Sequence, residues 1–265
     1  MPLPPALASL VDPFLFMGLA VSFLPPTILA SLRARDWATL LSPSRLRSAW
    51  FGRFWAHVGP TVRQNAEKNV VPLLQGRVTN GVIVLPSPEE QQQQASRPPP
   101  TPHPPVSGTV LEVGPGSGMW VSLYTPQYLP TTGHENKIRK IYGVEPNTSV
   151  HPLLRAQVAA AGLDGDGSDT TYEVVPLGIE DLAVSGRVEP GTVDCVVTVM
   201  CLCSIPDPQR NIAQLYNFLR PGGRWYVYEH VRCFGWQGWG MRLYQGKLLP
   251  YLLSLTCLPL PNQAA

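Results

Sequence analysis

The stretch Thr109-Val-Leu-Glu-Val-Gly-Pro-Gly-Ser-Gly118 limits what this chain can fold into more than any other. Val110 to Val113 is a short apolar run, the pattern of a strand covered on both faces in a parallel sheet. Gly114, Gly116 and Gly118 follow at alternate positions. Glycine lets the backbone turn sharply and lets a ligand approach where a Cβ would intrude. A strand, a glycine loop and then a helix form the unit with which open α/β sheets hold adenosine-containing ligands at the carboxyl ends of their strands. The dinucleotide fingerprint G-x-G-x-x-G needs a third glycine where Met119 stands, so an NAD-dependent oxidoreductase is the disfavoured alternative.

Downstream the alternation of strand and helix continues. Lys140–Glu145, Tyr172–Leu177, Val193–Met200 and Arg224–His230 read as further strands, the third of them almost wholly apolar. The pattern predicts a helix from His151 to Ala161, closed by Gly162, and another from Gln209 to Leu219, stopped by Arg220-Pro-Gly-Gly. Glu145 ends the second strand. An acid there is placed to accept from both hydroxyls of a ribose, with Pro146 and Asn147 where the adenine edge would lie.

Upstream, Phe14 to Leu32 runs nineteen residues without a charge. As one helix it would measure about 28 Å, enough to cross a hydrocarbon core. Pro25-Pro26 inside the run leaves a full span, a hairpin and an interfacial insertion all open. The basic residues Arg33, Arg35, Arg45, Arg47 and Arg53 come after it, which predicts that the remaining chain stays on the cytoplasmic side. Residues 42–58 have the spacing of an amphipathic helix, with Leu46, Trp50, Phe54 and Val58 on one stripe. It suits packing on the domain and equally suits a juxtamembrane roof over the site. A second helix is expected from Val62 to about Asn69, entered through Gly59-Pro60.

Between Pro86 and Gly108 order is expected to lapse. Eight of the twenty residues from Pro86 to Pro105 are proline, and Gln91 to Gln94 form a tract. The resulting division is a membrane-anchoring segment at 1–36, N-terminal helices at 37–85, a Pro/Gln-rich insertion at 86–108 and an α/β domain at 109–265. A formal net charge of +2 with no dense basic run excludes nucleic acid as the expected partner. Charged residues make up only 14% of the chain, which points toward membrane contact. The five cysteines, Cys195, Cys201, Cys203, Cys233 and Cys257, lack zinc-site spacing and read as reduced thiols, so no metal is expected.

Glu112-x-Gly-x-Gly-x-Gly resembles motif I of the class I S-adenosylmethionine-dependent methyltransferases, and "L-x-P-G-G" ahead of the last strand is similar to a second signature of that class. With Tyr142-Gly-Val-Glu-Pro-Asn147, Cys201-Leu-Cys-Ser-Ile205 and the apolar N-terminus, the chain resembles the membrane-associated methyltransferase-like family of endoplasmic reticulum and lipid droplets. The Pro/Gln-rich insertion and the Phe51-to-Pro60 helix suit a fungal-type member. The resemblance implies a Rossmann-like methyltransferase sheet with helices on both faces, S-adenosylmethionine as cofactor, and a small or lipid-like acceptor, a thiol among animal relatives. It implies that Glu112, Gly114, Pro115, Gly116, Gly118, Glu145, Pro146 and Asn147 hold the cofactor. It also places Glu180 or Asp181 at the adenine amino group, and Met200 and Cys201 beside the methyl group.

The class usually adds a β-hairpin after the fifth strand. Here a Gly/Trp-rich stretch and an apolar, helix-like segment from Met241 to Leu258 follow instead, so the domain reads as lacking that hairpin. A catalytically inactive, membrane-bound relative is therefore the second expectation. No base is demanded by methyl transfer from a sulfonium, and His230 is the best-placed candidate if one acts.

Overall fold

The computed structural model describes residues 5–85, 101–129, 137–165 and 170–230. The Gln tract, the Met241–Leu258 segment, Cys233, Cys257 and the question of a closing hairpin lie outside them. The described residues divide into two compact units, one reaching to His57 and including His230, the other running from Val58 to Glu229.

In the first unit α1 (Pro5–Ser22) and α2 (Leu24–Arg33) are separate helices with Phe23 between them. The prolines set that break. Pro25 and Pro26 have no N–H for the carbonyls of Val21 and Ser22, but both fit the first turn of a new helix, where the N–H has no partner in any case. The Ala20 carbonyl accepts instead from Phe23 N at 3.1 Å and from Trp50 Nε1 at 2.6 Å. Phe54 packs edge-on against Phe16 and Phe23, with ring centroids 5.1 and 5.9 Å apart. Phe14–Arg33 has the length and composition to cross a membrane, and only 11% of it is buried, unlike the core helix of a soluble domain. A short α3 (Trp37–Leu41) follows, capped by Asp36, whose carboxylate accepts from Thr39 N.

The helix expected to end before Gly59-Pro60 does not. α4 runs unbroken over Pro43–Leu74, with Pro60 and Pro72 inside it. Each proline denies a donor to the carbonyl four residues back, on Ala56 and Lys68. Both of these residues are exposed, where water can replace the lost donor.

The second unit contains a small antiparallel pair, β1 (Val78–Thr79) and β2 (Val82–Ile83), and a five-stranded sheet. The sheet is built from β3 (Gly108–Val113), β4 (Ile138–Val144), β5 (Thr171–Val175), β6 (Val193–Val199) and β7 (Leu219–Tyr228). Its order is β5-β4-β3-β6-β7 and every pairing is parallel, as the continuous apolar strands require. The crossover helices are α5 (His151–Ala160), α6 (Ile179–Ser185) and α7 (Pro208–Phe218). Side chains alternate across β3, so Val110 and Glu112 share one face and Leu111 and Val113 the other. The first face packs under Ala66, Val70 and Leu74 of α4 and Leu154 and Val158 of α5. The second packs under Leu182 of α6 and Leu215 and Phe218 of α7. Each fully buried Leu or Ile contributes roughly 2–3 kcal/mol relative to exposure.

Three expectations are corrected here. Residues 101–107 are ordered rather than lost in the proline-rich insertion. Val106 is buried with its N–H on Leu74 O, and Pro104 O accepts from Tyr226 Oη at 2.6 Å. No α-helix follows the glycine loop. A turn leads to a single 3-10 turn, Val121–Tyr124, and extended Thr125 before Pro126 ends it. β7 begins at Leu219 and ends at Tyr228, which leaves His230 two residues beyond it. Its register against β6 jumps from Val193↔Leu219 to Cys195↔Arg224, so Arg220–Gly223 loop out where the helix was predicted to stop. At this amino end of the sheet Asp194 accepts from Thr109 N at 2.7 Å and pairs with Arg139 and Arg220.

Candidate functional site

The strand order reverses direction between β3 and β6, which opens a crevice at their carboxyl ends. The glycine loop forms one wall. All three glycines have positive φ, at 65°, 58° and 88° for Gly114, Gly116 and Gly118, but their surroundings differ. A Cβ on Gly114 would lie 2.7 Å from Cys201 Cβ, and one on Gly118 would lie 2.8 Å from Gln157 Cβ. Those two are small because the protein itself closes on them. A Cβ on Gly116 would meet nothing within 4 Å, so this glycine alone faces open space. The loop therefore has the form of a cradle for a ligand that lies against its backbone.

Glu145 leaves the end of β4 and turns toward that cradle. Its Oε2 accepts from Gly116 N at 2.9 Å and its Oε1 from Asn147 N at 2.8 Å. A carboxylate offers about four lone pairs, so roughly two remain for a diol laid beside Gly116. Burial raises the pKa of Glu145, while the N–H groups of Asn147 and Gly116 lower it. The residues after it behave as scaffold. Asn147 is buried, and its Oδ1 accepts from Ser149 N and Oγ to start the turn into α5, while Pro146 is exposed.

Glu112 lies beneath the loop on the α4/α5 face. Its Oε2 accepts from Tyr172 Oη at 2.6 Å, across β4. Gly143 permits this, because a methyl group there would overlap the Tyr172 hydroxyl. Burial pushes the Glu112 carboxyl up to about 7. The Tyr172 and Tyr124 hydroxyls act against that rise and the charge of Glu145 adds to it. Tyr172, Tyr124 and Gly143 were missed in the sequence. The one available signal was a glycine inside an otherwise apolar strand, which marks a close approach.

At the end of β6 Met200 adopts φ +53°, a strained state for a residue with a Cβ and a cost of order 1–3 kcal/mol. Its N–H donates to Tyr228 O at 2.8 Å. Cys201 is buried, and burial, reinforced by the nearby Glu229 carboxylate, holds its thiol well above the ordinary range. A thiol held in that state is not primed to act as a nucleophile. Glu229 accepts from Cys201 N and Leu202 N at 3.1 and 3.2 Å, and no expectation had singled it out.

The second half of α4 covers both sides of the crevice. Arg63 donates to Met119 O at 2.9 Å and to Ser122 Oγ at 2.8 Å, and Asn69 donates to Tyr228 Oη at 3.2 Å. These contacts come from the stretch expected as a second helix from Val62, and not from residues 42–58, of which the roof was expected. Glu180 and Asp181 are not brought to the glycine loop by any hydrogen bond among the described residues. Glu180 folds back over Gly178 at the start of α6, and Asp181 is exposed in the same turn. Acids there complement the helix dipole. His230 is exposed. Among the described residues no three His, Cys, Asp or Glu side chains gather as a metal site.

Residues 90–254 match a family model described as a methyltransferase domain. A 132-residue stretch, 48% of the chain, is 30% identical to the human thiol S-methyltransferase TMT1A and covers 46% of it, so the chain spans under half the length of this curated relative. Similar solved structures include a putative S-adenosyl-L-methionine-dependent methyltransferase from Methanococcus maripaludis, with 12% identity, a TM-score of 0.39, and 64% and 62% of the two chains covered. Another is an arsenic(III) S-adenosylmethionine methyltransferase from Chlamydomonas reinhardtii, with 21% identity, a TM-score of 0.36, and 52% and 48% covered.

Proposed function

The chain belongs to the methyltransferase-domain family, whose cofactor is S-adenosylmethionine, and on that premise we propose that it methylates the sulfur of a small lipophilic thiol at a membrane surface. The observation that carries the reading is the bond from Gly116 N to Glu145. It joins the one glycine of the loop's three that faces open space to an acid with lone pairs to spare, as a ribose needs. The cofactor, when bound, supplies a methyl group already activated on a sulfonium.

Gly116 and Glu145 hold the sugar in this reading, with Pro115 and Gly114 shaping the loop beside it. Pro146 and Asn147 carry the chain past the adenine edge, and Glu180 or Asp181 stands at its outer end. Glu112 sits under the amino-acid moiety, and Met200 and Cys201 line the methyl group. The remaining tasks are to align the acceptor and to exclude water, which suit the covering helix α4. A thiol near its ordinary pKa already carries thiolate at neutral pH, so no residue is assigned as base. The choice of a thiol is supported by the likeness to the human thiol S-methyltransferase.

The membrane part of the reading is supported by the first unit. Phe14, Leu15, Leu19, Val21, Leu29 and Leu32 are exposed there, and the arginines follow the apolar run. In this reading the methyltransferase domain lies on the cytoplasmic face, at endoplasmic reticulum or lipid droplets. Calorimetry of S-adenosylmethionine with the full chain in detergent tests the cofactor, and mass spectrometry of an alkanethiol incubation tests the acceptor. Micromolar binding with thioether formation is expected. A folded chain that binds no S-adenosylmethionine sinks the proposal.

A further inference from the structure

Two features of the loop that leaves β6 belong together. Met200 is left-handed, with φ +53°, and Cys201 returns to the right-handed region at φ −115°, ψ −28°. A left-handed residue next to a right-handed one turns successive N–H groups to the same side, and the concavity so formed binds anions. In this chain the anion is internal. Glu229, the residue after β7, accepts from Cys201 N through Oε1 at 3.1 Å and from Leu202 N through Oε2 at 3.2 Å. The Cys201 Sγ lies 3.5 Å from the same Oε1. The preceding N–H, on Met200, is taken by Tyr228 O at 2.8 Å. Two adjacent residues at the end of β7 thus hold three consecutive N–H groups at the end of β6.

The braced segment also bears on the glycine loop. Gly114 approaches so closely that a Cβ there would stand 2.7 Å from Cys201 Cβ. The position of Cys201 therefore sets how the two walls of the crevice meet. Small displacements at such a place matter, because in-line transfer depends steeply on the distance and angle between donor and acceptor.

Resting on the methyl-transfer reading above, we propose that Glu229 is a positioning residue for the reaction. As the internal anion of the Met200–Leu202 concavity, it fixes the wall against which the acceptor is aligned. Both oxygens are needed. Glutamine at this position offers one acceptor oxygen and turns an amide N–H₂ toward a second N–H, whereas aspartate keeps both oxygens on a shorter arm.

The test compares the full chain in detergent as wild type, Glu229→Gln, Glu229→Asp and Glu229→Ala. Cofactor binding is followed by calorimetry, turnover with a short alkanethiol, and hydrogen exchange at the Cys201 and Leu202 amides. Glu229→Gln is expected to bind S-adenosylmethionine within about two-fold of wild type while kcat falls ~10-fold or more. Exchange protection at the two amides falls with it, and Glu229→Asp lies between. Millimolar formate is expected to restore part of kcat in Glu229→Ala and to leave wild type unchanged, an effect that a merely structural acid would not show.

A Glu229→Gln chain with kcat within two-fold of wild type overturns the proposal. So does one in which kcat, cofactor affinity and melting temperature fall together, with no formate rescue of Glu229→Ala. If the wild-type chain itself binds no S-adenosylmethionine, the methyl-transfer reading of this chain fails first. Loss of protection in Glu229→Gln would then leave the brace as a feature of the fold and end its role in catalysis.

Discussion

The ends of β4 and β7 each carry an acid that accepts from two backbone N–H groups, yet the two acids do different work. Glu145 takes one N–H from the glycine loop and one from its own turn, so it ties together two separate segments beside the open face of Gly116. Glu229 takes neighbouring N–H groups from one strained loop. The first arrangement leaves acceptor capacity beside the open face of Gly116, where the proposed ribose would lie. In the second the acid holds consecutive N–H groups of one loop of its own chain. On the proposals above, acids with similar hydrogen-bond counts divide into a binding group and a brace according to what the donors belong to.

The strongest way to break this comparison is Glu145→Ala. It removes charge-assisted bonds to a proposed ribose and leaves the Gly116 N–H without its acceptor. Cofactor affinity should fall ~100-fold, roughly 3 kcal/mol. The brace variant Glu229→Gln should leave affinity nearly intact. Equal losses in the two titrations would erase the distinction.

Glu112, the third acid at this end of the sheet, sharpens it through pH. Burial pushes its carboxyl up to about 7 in the folded chain, against an ordinary 4.5. The unfolded carboxyl therefore ionises first as pH rises. Its contribution to stability is present below about pH 4.5 and is lost as pH climbs toward 7, in total of order 3 kcal/mol. Glu112→Gln should flatten that decline in urea unfolding between pH 5 and 7.5, with a smaller slope left by Glu145, whose pKa is raised in the same direction. A stability difference that does not vary with pH would mean that Glu112 is held ionised by its tyrosines.

The glycine loop separates the same two roles on a smaller scale. Alanine at Gly114 or Gly116 meets left-handed strain of about 1–2 kcal/mol. Gly114→Ala adds a clash with Cys201, so it should lower the melting temperature more than Gly116→Ala. Gly116→Ala faces open space and should instead weaken cofactor binding. A reversed order in thermal scans and calorimetry would place the ligand elsewhere.

The sheet was legible because a parallel strand buried on both faces must be nearly all apolar, and Val193–Val199 and Val110–Val113 obey that. Glu145 was legible because its place, at the end of the strand that follows a glycine loop and pairs in parallel beside it, is fixed by topology. What stayed hidden was set by contacts between distant residues. The Tyr172–Glu112 bond spans 60 residues and depends on an absent side chain at Gly143. The brace spans 28 residues from Cys201 to Glu229 and depends on a backbone state that no residue type announces, since methionine rarely adopts it. Continuity of α4 through Pro60 was hidden for a related reason. A proline predicts a lost donor but not whether solvent can replace it.

The smallest expected effect belongs to His230. Its place after Glu229 marks it in the sequence as a titratable group near the chemistry, but the structure leaves it exposed beyond β7. If it drew the proton from the acceptor, activity would fall below the ordinary imidazole pKa of about 6.5, and His230→Gln would abolish that limb of the profile. If the acceptor thiol ionises without help, the profile follows the thiol, rising toward its own pKa of roughly 8.5 or above in both proteins. The second outcome is expected, with kcat in His230→Gln within about two-fold of wild type at pH 8. Comparing two thiols of different acidity settles the source of the limb, because it should move with the thiol and not with residue 230.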